Sequence, residues 1–171
     1  MTFNLKEFKL LDLFEVSRGS GTSADNAKEN PGSVPHISAS VFNNGSDCRT
    51  SEKANHNGKC ITTSANGTDI GISFYQPEDF CATQDVAILR PKDKMSTTSL
   101  LFIAAVISNE KYRFNYGRKF NGKRMDLGLW LPATEDDKLE LDHITMAEAV
   151  NQAEEAKYKK IQLTAKAIKE L

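Results

Sequence analysis

A chain of 171 residues, 39% hydrophobic and 26% charged, is long enough to bury a real core and has the make-up of one globular domain plus an appendage. No run of eighteen apolar residues is present, so no membrane span is indicated. Lys6, Glu7, Lys9 and Asp12 break up the stretch from Met1 to Phe14, which excludes the uninterrupted apolar core of a signal peptide.

The formal net charge of −1 hides an uneven distribution. Residues 1–130 hold 16 Lys and Arg against 14 Asp and Glu, a balance of +2, whereas residues 131–171 hold 6 against 9, a balance of −3. A phosphate senses charge within roughly 10 Å at physiological salt, so a local patch outweighs the total. Cys48, Cys60 and Cys81 make an odd count without C-x-x-C spacing, which fits reduced thiols in a cytoplasm.

In chain order, Phe8 to Val16 alternates loosely and ends at Arg18-Gly19-Ser20-Gly21. Val34 to Ser38 is extended, since Val34 precedes a proline, and Asn43-Asn44-Gly45 is a turn signal. Lys59 to Thr63 is β-branched and strand-like, with a turn at Asn66-Gly67; Ile70 to Tyr75 and Asp85 to Leu89 are further strands. Short strands at this spacing predict an α+β domain built on a curved, mostly antiparallel sheet. Ser99 to Asn109 is apolar on most sides and predicts one buried helix.

The language changes near Pro132. Residues 133–141 are acidic and irregular, a connector, and the domain is expected to span 1–132. From Asp142 to Leu171 there is no Gly or Pro, and Ala, Glu, Lys and Gln dominate, which predicts a helix on the order of 45 Å long. Thr145 with Glu148 forms a capping box, and Glu154–Lys157 and Glu155–Lys159 are favourable pairs. Met146, Val150, Ala153, Ile161, Ala165, Ile168 and Leu171 form a coiled-coil-like seam interrupted near Lys157. A helix this long is better buried by a partner helix than by folding back on its own small domain.

For catalysis the residues offer little. Glu135-Asp136-Asp137 sits in the connector and reads as solvated. Asn66-Gly67-Thr68-Asp69-Ile70-Gly71 lacks the G-x-G-x-x-G pattern and reads as a hairpin turn. Cys48, His56 and Cys60 match no common metal spacing and lack a fourth ligand, and His36 and His143 have no partner Ser or Cys in a triad arrangement. No catalytic residue, no metal and no cofactor of its own are expected.

The stretch Lys111 to Arg124 differs. Lys111, Arg113, Arg118, Lys119, Lys123 and Arg124 interleave with Tyr112, Phe114, Tyr116 and Phe120, without an acid. Lys and Arg supply phosphate contacts, and Arg or Asn can pair bidentately with a guanine or adenine edge. Arg18 to Thr22, polar and glycine-rich, can reach the same surface. The candidate DNA-binding set is Arg18, Ser20, Thr22, Asn66, Thr68, Arg118, Lys119, Asn121, Lys123 and Arg124. A solvated hairpin whose aromatics pack inward is the plain alternative.

The ordered motifs resemble one family. Leu11 to Gly19, Val34 to Ser40 with Asn43-Asn44-Gly45, Ile61-Thr62-Thr63 to Asn66-Gly67, Gly71 to Tyr75, Phe114 to Arg118 and the Leu131-Pro132 step are similar to a target-recognition domain of type I restriction–modification specificity subunits and of related enzymes with a separate specificity subunit. The resemblance covers most of residues 8–132. It implies a non-catalytic, cytoplasmic subunit that reads double-stranded DNA largely through the major groove. Methyltransferase subunits, and in some systems a restriction subunit, would be its partners, with S-adenosylmethionine bound by the methyltransferase. Full-length subunits of the family have two recognition domains and two spacer helices; this chain has one of each. Either it forms a two-fold homodimer through residues 142–171, reading an interrupted palindrome, or it is half of a longer subunit. Two other classes stand beside this reading: a regulator or decoy that binds methyltransferase subunits through its helix, and a small stand-alone DNA nuclease.

Overall fold

A computed structural model describes residues 4–21 and 23–141. The predicted helix over 142–171, with Met146, Val150, Ala153, Ile161, Ala165 and Ile168, and the candidate Thr22 lie outside the described residues. Among the described residues, those within 7–129 form one compact unit, and 4–6 with 130–141 belong to a second.

The chain is mixed α+β. Its elements are β1 (Asn4–Lys9), α1 (Leu10–Leu13), β2 (Phe14–Arg18), α2 (Ala24–Glu29), β3 (Pro31–Ile37), β4 (Ser46–Thr50), β5 (Cys60–Ser64), β6 (Ser73–Gln76), β7 (Cys81–Ala82), β8 (Val86–Pro91), α3 (Thr97–Asn109) and β9 (Gly128–Ala133). The strands divide among a four-stranded antiparallel sheet ordered β2-β8-β5-β6, a three-stranded sheet ordered β4-β3-β7, and a ribbon of β1 with β9. In the three-stranded sheet β3 runs antiparallel to β4 and parallel to β7. The expected single curved sheet is thus two sheets and a ribbon.

Within residues 7–129 the two larger sheets share a buried cluster, with Ile37 and Ala82 from one and Cys60, Val86 and Ile88 from the other, joined by Phe80. β5 is buried along its whole length because it is central, with neighbours on both edges. Its polar side chains are satisfied there. Thr63 Oγ1 and Ser73 Oγ lie 2.8 Å apart, and Gln76 Nε2 donates to Thr62 Oγ1 at 2.8 Å, as buried hydroxyls require.

The helix α3 covers the residues foreseen, two residues longer at its start, where Ser96 caps it by accepting from Ser99 N at 3.0 Å. It buries one face, Leu100, Ile103, Ala104 and Ile107, and leaves Leu101 52% exposed. Ser108 Oγ accepts from Ser73 N at 2.9 Å, tying α3 to the edge strand β6.

Three other expectations are modified. The stretch Phe8 to Val16 is broken by the helical turn α1, which buries Leu10, and the chain returns to extended backbone at Phe14, itself buried as the first residue of β2. The strand expected at Ile70 starts only at Ser73, because Gly71 turns the chain at φ +94° against the Phe114 ring. The acidic connector is an ordered turn inside its own unit. Ala133 bridges Leu139, Thr134 N donates to Lys138 O at 2.8 Å, and Asp137 pairs with Lys6 at 2.9 Å. Glu135, Asp136 and Asp137 are exposed, as read from the sequence.

Candidate nucleic-acid interface

The candidate surface lies within residues 7–129. The basic loop leaves α3 and is anchored from inside. Phe120 is completely buried and meets Phe114 edge-on, with ring centroids 5.4 Å apart at 75°. Between them Asn115 to Arg118 forms a tight hairpin. Arg118 N donates to Asn115 O at 2.9 Å, and Gly117 N to Asn115 Oδ1 at 3.0 Å. The two phenylalanines therefore pack inward, while Tyr112 and Tyr116 remain 74% and 82% exposed. Lys119 Nζ lies 5.5 Å from the Tyr116 ring centre, within cation–π range.

The loop's cations are unequal. Arg113 pairs with Glu110 at 2.6 Å and is neutralised locally. Among the described residues, Arg118, Lys119, Lys123 and Arg124 have no carboxylate within 4.0 Å. An excess of unpaired positive charge is what a phosphate backbone attracts.

Four of the candidate residues come together. Arg18, Asn66, Lys119 and Asn121 line one open hollow of about 490 Å³, joined by Gly19, Ala65, Gln84 and Asp85. The strand β2 delivers Arg18 to its edge, and Arg18 Nη2 donates to Phe120 O at 3.0 Å, with Nη1 3.4 Å from Gln84 O. Arg18 thus clamps the loop to the 83–85 turn. Asn66 Nδ2 donates to Asp85 Oδ1 at 2.8 Å. Gly19 and Gly21 are required by crowding: a Cβ at Gly19 would stand 2.1 Å from Thr83 O, and one at Gly21 2.8 Å from Ala82 O.

The remaining candidates are elsewhere. Arg118 and Arg124 line a second hollow of about 220 Å³ with Glu7, Lys9, Arg113 and Asp126. Ser20 accepts from Asn55 Nδ2 at 3.5 Å, and Thr68 Oγ1 donates to Asp69 Oδ2 at 2.8 Å in its own turn. Neither these two nor Lys123 line either hollow. Sequence reading missed Gln84 and Asp85. The polar run Thr83-Gln84-Asp85 between two apolar stretches marks a turn, but no motif identifies it as part of a site.

Among the described residues no three His, Cys, Asp or Glu side chains converge in a metal-binding group. Burial pushes the Cys60 thiol up to about 11, opposed in part by Arg90, and it raises Cys48 and Cys81 as well. His56 stacks on Phe80 at 5.5 Å, and burial, then the Arg90 cation, holds it below its ordinary value. No described helix is long and apolar enough to cross a membrane.

The family model of the type I restriction modification DNA specificity domain matches residues 4–163. The specificity subunit S.BcgI of a type II restriction enzyme from Heyndrickxia coagulans is 32% identical over 133 residues, 77% of this chain and 38% of that protein. The fold is similar to that of the type I specificity subunit from M. genitalium, with a TM-score of 0.61 at 14% identity over 79% of this chain and 36% of the other. It is also similar to the HsdS subunit from Thermoanaerobacter tengcongensis, with a TM-score of 0.54 at 17% identity over 92% and 40%. The chain therefore spans less than half the length of these relatives. With nearly its whole length matched, the chain belongs to the family of type I restriction–modification DNA specificity domains.

Proposed function

We propose that the chain reads part of a DNA target through the surface built by Arg18, Asn66, Lys119 and Asn121, and directs a methyltransferase, in some systems with a nuclease, to it. The observation that carries this is the basic loop. Four cations without carboxylate partners stand on a segment held in place by the buried Phe120, edge-on to the half-buried Phe114, and by Arg18. Arg118, Lys119, Lys123 and Arg124 contact phosphates; the hollow beside Lys119 faces base edges in the major groove. Catalysis and S-adenosylmethionine belong to the partner methyltransferase subunit.

The reading includes assembly. Residues 142–171 pair with the same segment of a second copy along Met146, Val150, Ala153, Ile161, Ala165 and Ile168, so that two recognition domains read an interrupted palindrome. The domain itself is residues 1–132, with 133–141 as the connector to the helix.

A salt titration of binding to duplex DNA tests the loop. Replacing Arg118, Lys119, Lys123 and Arg124 by alanine removes up to four phosphate contacts, so the log–log salt slope should flatten by about 3 to 4 per chain. An unchanged slope overturns the assignment of the loop. Ile161→Glu with Ile168→Glu should abolish self-association in sedimentation, and a wild-type chain that stays monomeric at high micromolar concentration overturns the pairing.

A further inference from the structure

The turn Thr83-Gln84-Asp85 links the three-stranded sheet to the four-stranded one and is fixed from several sides. Thr83 N donates to Ile37 O at 3.0 Å, Val86 N to Thr83 O at 3.2 Å, Gly19 N to Val86 O at 3.0 Å, and Ala65 N to Asp85 O at 2.8 Å. Asn66 holds the Asp85 carboxylate at 2.8 Å, and Arg18 reaches the Gln84 carbonyl at 3.4 Å. The backbones of Gly19 and Gly21 press against residues 82 and 83 too closely for any Cβ. A turn this over-determined does not relax towards a ligand; it presents a side chain at a fixed place.

The side chain presented is Gln84. It is exposed, and among the described residues its carboxamide has no hydrogen-bond partner. It lines two hollows at once. One is the hollow of Arg18 and Lys119, and the other, about 400 Å³, is bounded by Gly21, Ser23, Ser38 and Ala39. The neighbouring carboxamides are already engaged. Asn66 donates to Asp85, Asn121 Oδ1 accepts from Arg124 Nη1 at 3.4 Å, and Asn55 reaches Ser20. Gln84 is the carboxamide at this surface whose donor and acceptor both remain available.

We infer that Gln84 reads one base of the target, an adenine approached from the major groove. The inference rests on the DNA-reading function proposed above. A carboxamide offers an acceptor, Oε1, and a donor, Nε2, at one end, and adenine's major-groove edge offers the matching N6–H donor and N7 acceptor. Guanine shows two acceptors there and leaves Oε1 opposed to a lone pair. Lys119, on the same hollow, holds a nearby phosphate and so fixes the register in which Gln84 meets the base.

The test uses the full chain and a pool of duplex DNA with a randomised stretch, selected at one fixed salt concentration, with wild type, Gln84→Ala and Gln84→Glu. Wild type should enrich a motif containing an adenine. Gln84→Ala should lose discrimination at that one position on the order of 5- to 150-fold, with the other positions and the salt slope unchanged. Gln84→Glu, which keeps the shape but only accepts, should move that position towards cytosine, whose N4 donates. Two substitutions at one exposed site guard against a folding defect in either, checked by their melting temperatures. Variants that enrich the wild-type motif unchanged, or that weaken every duplex equally, overturn the role of Gln84 and leave the function standing. A wild-type chain that enriches no motif overturns the DNA-reading function and this inference with it.

Discussion

Replacing Phe120 by alanine should lower the stability of the chain by about 3 to 5 kcal/mol. Phe120 is completely buried and is among the largest fully buried side chains, with Phe14 and Phe80. Burial of its ring contributes roughly 1.5–3 kcal/mol, and its edge-on contact with Phe114, at 5.4 Å and 75°, adds about 0.5–1.5 kcal/mol. The cavity left behind brings the loss to the upper end of that range. For a chain of this length each kcal/mol moves the melting temperature by about 2–4 °C, so a fall of roughly 6–20 °C is expected in a thermal melt followed by circular dichroism. Tyr116→Ala, on the same loop but 82% exposed, should stay within about 0.5 kcal/mol of wild type. A loss of amide protection confined to residues 114–127 would show that the loop opens alone, at less than the global cost. Unchanged melting together with unchanged exchange of those amides would refute the claim that Phe120 anchors the loop.

Gly19→Ala places a methyl group 2.1 Å from Thr83 O, against backbone that cannot rotate away, and should cost about 1–3 kcal/mol in a denaturant titration; a midpoint equal to wild type would show that the turn yields. Cys60, held at about 11 by burial, carries a thiolate fraction of about 0.1% at pH 8. Mass spectrometry after treatment with a thiol reagent should therefore find Cys60 unmodified until the chain is unfolded, and early labelling would contradict the buried site. For His56 the fold favours the neutral form. The unfolded chain takes up its proton near pH 6.5 and the folded chain only at lower pH, so this contribution is intact above about 6.5 and is lost as pH falls through the window between the two values. His56→Phe, which keeps an aromatic stack on Phe80, should flatten the dependence of melting temperature on pH between 7.5 and 5, and an unaltered slope would count against the shift.

The parts of the fold legible in the sequence are those with a local cause. The helix α3 announces itself by a run of apolar residues, β5 by its β-branched residues, and the Asn43-Asn44-Gly45 turn by residues that tolerate positive φ, each of which adopts it here. What stayed hidden depends on distant partners. β7 is two residues long and exists because Cys81 and Ala82 lie parallel to His36 and Ile37, a pairing that no local pattern contains. β4, Ser-Asp-Cys-Arg-Thr, carries little strand propensity and is held by β3 and by the contact of Thr50 Oγ1 with Asn30 O at 3.0 Å. The α2 helix is six residues capped by Ser23, too short for periodicity to reveal. The candidate surface divides in the same way. The cations of residues 111–124 could be counted, but their sorting could not, because it follows from burial of Phe120 and from the carbonyl that Arg18 finds 102 residues along the chain.

That sorting bears on how a chain with a net charge of −1 can read DNA. Arg113 is matched by Glu110, and Arg18 gives its guanidinium to the carbonyls of Phe120 and Gln84, so two of the cations most visible in the sequence are structural. The remaining loop cations stand on either side of a buried ring. Lys119 shares its hollow with Asn121 and Gln84, while Arg118 shares the other with Arg124. Positive charge on the proposed surface is therefore concentrated in a few side chains on one anchored segment, and the acids that share its hollows, Asp85 in one and Glu7 and Asp126 in the other, form no ion pair with them. Affinity from phosphate contacts and discrimination from base contacts then rest on different residues. Because Arg18 and Phe120 hold both sets in one frame, changing either should disturb the two together, whereas Lys123 and Gln84 should separate them.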